Sequence, residues 1–166
     1  MSRLRLCLIL IAIIPLSSCE DSVAPVPLRA EEQAATGTYT LTLANSKTPP
    51  TKIGTFLSGG AGADVMVTGA TLMLDSNVKT RSTSRLNVTV EYVEFDAVQG
   101  VQRRNVSSET VAPWSLSGST LSIEAGSPTL VITAGTLSGR TVTVTTSSPG
   151  FYGAASPTVV LTLVKQ

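Results

Sequence analysis

A chain of 166 residues, 42% hydrophobic and only 14% charged, holds enough apolar material for one globular domain and too little charge for disorder. Its formal charge of +1 gives no electrostatic reason to expect nucleic acid or an anionic surface as partner. The absence of histidine removes the commonest general base, the triads built on one, and imidazole metal sites.

Arg3 and Arg5 form a positive start, and residues 6–16 are an almost unbroken apolar run. A membrane-spanning helix needs about 20 such residues to cross a hydrocarbon core of about 30 Å, so this run is too short. A charged start, a short apolar middle and small residues ahead of a cut site are the marks of a secretory signal. Pro15 breaks the helix just before the cleavage region.

The run ends in Leu16-Ser17-Ser18-Cys19, which resembles the lipobox of bacterial lipoproteins. The resemblance implies that residues 1–18 are removed and that Cys19, acylated, becomes the first residue of the mature chain. One acyl chain gives only marginal attachment. The diacylglyceryl group and N-acyl chain (commonly palmitate) that such lipoproteins carry would suffice. It further implies a cell-envelope location with the membrane as partner through Cys19. Glu20 stands where an aspartate can retain enteric lipoproteins in the inner membrane, which favours the outer membrane, on its periplasmic or surface side. Cys7 lies in the leader, so the mature chain would carry neither a free thiol nor a disulfide. Without Arg3 and Arg5, ten basic residues face eleven acidic ones, a formal −1.

Residues 19–36 hold Pro25, Pro27, several alanines and four acids, with no sustained apolar period. They read as a flexible tether, extended near the prolines, with a single helical turn expected at residues 30–35.

From Gly37 to Gln166 strand signals dominate. Tyr39, Leu41 and Leu43 alternate with threonines, and the same period of two returns repeatedly. It carries Ala70, Leu72 and Leu74, then Leu86, Val88, Val90 and Tyr92, then Leu121 and Ile123. Leu130 and Ile132, Val142 and Val144, and Val159, Leu161 and Leu163 follow. Turn clusters separate them at residues 45–50, 58–64, 75–77, 117–119, 125–128 and 147–156. Val93 and Phe95 fall on the face opposite Tyr92, which predicts a bulge there. Three echoes, Thr68-Gly69-Ala70-Thr71-Leu72, Ser117-Gly118-Ser119-Thr120-Leu121 and Ser138-Gly139-Arg140-Thr141-Val142, predict tight turns that each start a strand. The fold class is all-β.

Residues 37–42, 69–75, 114–123 and 136–144 resemble the small lipocalin-like barrel domains of bacterial lipoproteins. That resemblance implies an antiparallel up-and-down barrel of about eight strands over residues 37–166, mostly without assigned activity. The Gly-x-Trp opening of true lipocalins is absent, with Tyr39 in place of the tryptophan. An immunoglobulin-like β-sandwich is the alternative architecture.

Chemistry is sparse. No Gly-x-Ser-x-Gly elbow occurs. Nothing brings two of Glu91, Glu94, Asp96, Glu109 and Glu124 to a glycosidase separation. The glycine-rich residues 58–64 lack the ending of a phosphate loop and read as a surface loop. Asp64 alone cannot hold calcium, so no metal or cofactor is expected. Arg103 and Arg104 fall on opposite faces, and the threonine rows (Thr38, Thr40, Thr42; Thr141, Thr143, Thr145) read as exposed strand surface.

The expectation is a non-catalytic, membrane-anchored module with a structural or protein-interaction role. The alternative is a lipocalin-like carrier of a small apolar ligand, with Tyr39, Tyr92, Phe95 and Trp114 as its wall.

Overall fold

The computed structural model describes residues 29–58, 61–76, 82–96, 98–124, 131–147 and 158–166. The leader, Cys19, Leu130 and the turn clusters at 125–128 and 148–156 lie outside them. One short helix, α1 (Ala30–Ala35), is followed by nine strands. These are β1 (Gly37–Ala44), β2 (Thr51–Ser58), β3 (Ala61–Asp75), β4 (Thr83–Asp96), β5 (Gly100–Ser117), β6 (Thr120–Ile123), β7 (Val131–Ser138), β8 (Thr141–Ser147) and β9 (Thr158–Lys165).

Every pairing is antiparallel. The order runs β1-β9-β8-β7-β6-β5-β4-β3-β2, and β1 also pairs β3, closing β1 and β3 to β9 into an eight-stranded barrel. The all-β class read from the alternation and the barrel implied by the resemblance are the fold; one sheet closes on itself, so the sandwich is set aside. Inward side chains along the strands, among them Tyr39, Leu72, Leu74, Leu86, Val90, Val142, Val144, Leu161 and Leu163, make one core. Their period of two is why the alternation located the strands.

The seam between β1 and β3 is short. Residues 37–40 pair with 74–71, after which β1 bends to β9 alone. β2 then takes over the same edge of β3, with Thr51 opposite Val67 and Ser58 opposite Ala61. Bulges mark the departure, at Thr42 on β1 and Thr68 on β3, each an extra residue against an unbroken partner. Such bulges bend a strand and re-aim its side chains. Past Thr42, Ala44 becomes the buried residue in place of Leu43; past Thr68 the inward set changes from Ala63, Val65 and Val67 to Ala70, Leu72 and Leu74.

Four sequence readings are corrected here. No bulge lies at Tyr92: β4 pairs without a break from Thr83 to Asp96 with β5, so Val93 and Phe95 are simply outward residues. The echo at Thr68-Gly69 is a bulge within β3 and not a turn, whereas Gly118 (φ 58°) and Gly139 (φ 56°) do sit in two-residue hairpin loops. Residues 61–64 belong to β3, held by pairing to both β2 and β4, instead of forming a surface loop. Residues 30–36 are not free spacer. Ala35 is buried, the Tyr39 hydroxyl donates to its carbonyl at 2.6 Å, and Lys165 Nζ donates to the Ala34 carbonyl at 2.8 Å. The expected helical turn is present and docks onto the barrel.

Candidate functional site

The docked helix defines one end of the molecule. Tyr39 from β1 meets α1 there, and the Leu116 amide of β5 faces the Glu32 carboxylate at 3.5 Å. Trp114 lies near the same end, with Nε1 donating to the Asp75 carbonyl at 3.0 Å. Burial pushes the Tyr39 phenol up from its ordinary value, because the phenolate would lose its water.

Residues 51–58, 61–67, 88–96 and 100–107 extend away from that end as a four-stranded ribbon, β2-β3-β4-β5. At about 3.3 Å per residue, the 18 residues of β5 reach roughly 55 Å. The outer face of the ribbon carries ion pairs. Lys52 Nζ lies 2.6 Å from Asp64, which also accepts from the Thr55 hydroxyl at 2.9 Å. Arg103 meets Glu91 at 3.0 Å, and Arg85 lies 3.8 Å from Glu109. The hydrogen bonds from Lys52 and Thr55 hold the Asp64 carboxyl below its ordinary value. Asp96 turns the β4–β5 hairpin by accepting from the amides of Val98 (2.6 Å) and Gln99 (2.8 Å), and these amides lower its carboxyl in the same way. At this tip Phe95 (56% exposed), Val98 (93%) and Val101 (55%) face solvent.

Of the four aromatic residues expected to form one wall, three are buried in the core and one is exposed. Tyr39 and Trp114 are buried near the helix-capped end, and Tyr92 is buried eight residues along β4 from Ser84, roughly 25 Å at strand rise. Phe95 lies outside the lumen, at the exposed tip. Arg104, across from Tyr92, places its guanidinium 5.4 Å from that ring, while Arg103 lies on the other face as expected. Among the described residues no group of acids or cysteines is placed to hold a metal ion.

A crevice that the alternation did not reveal opens between β6 and β7. These strands share a single register pair, Thr120 with Thr136, and the Leu137 amide reaches the Ser119 carbonyl at 2.8 Å. Beyond that point they leave a cavity of about 430 Å³ lined by Leu121, Ile123, Ile132, Gly135 and the backbone around them. The alternation marks Leu121, Ile123 and Ile132 as inward residues. That their strands separate is a property of pairing, which periodicity does not encode.

No known protein family, curated protein or solved structure matches the chain.

Proposed function

We propose that the protein is a non-catalytic lipoprotein of the bacterial cell envelope, tethered through acylated Cys19 and serving as a structural or protein-interaction module. The observation that carries the module reading is a lumen packed with side chains away from the β6–β7 crevice. Tyr39, Leu72, Leu74, Leu86, Leu161 and Leu163 are all almost wholly buried, which leaves outer surfaces for a partner to meet. Three of the carboxylates weighed for catalysis are otherwise engaged: Glu91 by Arg103, Glu109 by Arg85 and Asp96 by turn amides. The anchor rests on the lipobox resemblance. Among the described residues no helix is long and apolar enough to cross a membrane.

Replacing Cys19→Ser tests the anchor. Membrane fractionation should move the variant to the soluble fraction, and unchanged membrane association counts against it. A second reading, a carrier for a small apolar ligand, is favoured by the crevice of about 430 Å³ between β6 and β7. Native mass spectrometry separates the two. The module reading expects the bare chain with its anchor, and a stoichiometric co-purified lipid would favour the carrier.

A further inference from the structure

The long β5 strand pairs with β4 along its whole first part, whereas its other edge meets β6 only from Trp114 onward. Among the described residues no strand covers that edge over residues 100–112. Its hydrogen-bonding parity is fixed by three contacts. The Trp114 amide donates toward β4, to the Ser82 carbonyl at 3.1 Å, and Ser84 Oγ donates to the Ala112 carbonyl. The Pro113 carbonyl instead accepts from the Glu124 amide on the β6 side at 2.9 Å. β5 pairs with β4 without a register shift, so the alternation propagates down the strand. The amides and carbonyls of Val101, Arg103, Asn105, Ser107, Glu109 and Val111 therefore point away from β4, and all six side chains share the outer face.

We infer that this edge pairs with the same edge of a second copy of the chain, antiparallel, about a two-fold axis through Val106. In that register the side chains match themselves. Arg103 faces Glu109 of the other copy, Asn105 faces Ser107, and Val101 faces Val111. Val101 and Val111 are 55% and 47% exposed in the single chain, and their pairing covers both. Each facing pair consists of two residues with outward amides and carbonyls, so every pair is a hydrogen-bonded pair of the ladder, giving about twelve bonds in all. Shifting the register by two residues along the strand sets Arg103 or Glu109 against a neutral residue. Shifting it by one places outward amides opposite inward ones. The charges that ordinarily block edge pairing are here complementary, and they extend the existing pairs into a run Glu91–Arg103–Glu109–Arg85 across the two copies. The result is a continuous eight-stranded sheet with an isologous interface. This goes beyond the envelope reading and does not depend on it, since a chain without the lipid anchor has the same edge.

The test is charge exchange, read by the mass of the full-length chain in detergent under reducing conditions at tens of micromolar. The wild type should show twice the monomer mass. Arg103→Glu and Glu109→Arg should each be monomeric, because each sets like charges against one another. An equimolar mixture of the two variants should regain the twofold mass, since the acid introduced in one then faces the base introduced in the other. Asn105→Pro deletes an outward amide without touching the β4 ladder, so it should be monomeric with unchanged circular dichroism. A monomeric wild type overturns the inference. So does a dimer indifferent to Asn105→Pro, or a mixture of folded charge variants that stays monomeric.

Discussion

Individual side chains tie the helix and the hairpin tip to the strands. The buried Tyr39 hydroxyl donates to the Ala35 carbonyl at 2.6 Å, linking β1 to the end of α1. Tyr39→Phe should cost about 1 kcal/mol in denaturant unfolding and raise amide exchange over residues 33–36, where α1 ends. Unchanged exchange would mean that the helix is held by other contacts. Asp96 and Asp64 carry lowered native values, so the unfolded chain protonates first as the pH drops. Their contribution is complete above the ordinary carboxyl value of about 3.9 and is lost as the pH falls through the lower native values. The protection factors of the Val98 and Gln99 amides, taken against the intrinsic exchange rate at each pH, should therefore fall below about pH 4, and Asp96→Ala should show the low protection already at neutral pH. A pH-independent protection factor in the wild type would contradict the assignment.

At the level of the element, the strands are legible in the sequence where burial is one-sided and illegible where it is not. Leu86 to Tyr92 and Val159 to Leu163 alternate because one face lines the lumen, and both stand in the structure as read. β2 and the first part of β5 carry no such signal, because residues 100–105 are exposed on both faces and Thr51–Ser58 is broken by Gly54 and a bulge at Ile53. The bulges at Thr42 and Thr68 are hidden because a threonine suits either a regular strand or an extra residue. Helix docking is hidden too, since it needs Ala35, Tyr39 and Lys165 brought together from both ends of the domain. Of the expected wall, burial of Tyr39, Tyr92 and Trp114 follows from alternation, but their separation along the strands does not. Two glycines make this level testable. A Cβ at Gly135 would lie 2.8 Å from the Leu121 carbonyl oxygen, so Gly135→Ala must push β6 from β7 and should cost about 1–3 kcal/mol. Gly139 meets nothing, but its φ of 56° makes Gly139→Ala cost about 1 kcal/mol through backbone strain alone. Thermal melts of the two variants should show both losses, and a Gly135→Ala variant as stable as wild type would mean that the β6–β7 contact is loose.

Taken as a whole, the molecule has two ends with different chemistry. One is capped by α1, the continuation of the segment that leads back toward Cys19; the other is the hairpin tip with Phe95, Val98 and Val101. In the antiparallel pair inferred above, the two helix-capped ends lie at opposite ends of the joined ribbon, so anchors at Cys19 of both copies would hold that ribbon along the bilayer. The proposed attachment to a membrane depends on the modification of one sulfur, and intact-mass spectrometry of the protein purified from membranes reads that directly. The expected product is a chain beginning at Cys19 and heavier than its sequence by a diacylglyceryl group and an N-linked acyl chain. A chain that retains Met1, or one cut elsewhere and free of added mass, would contradict it.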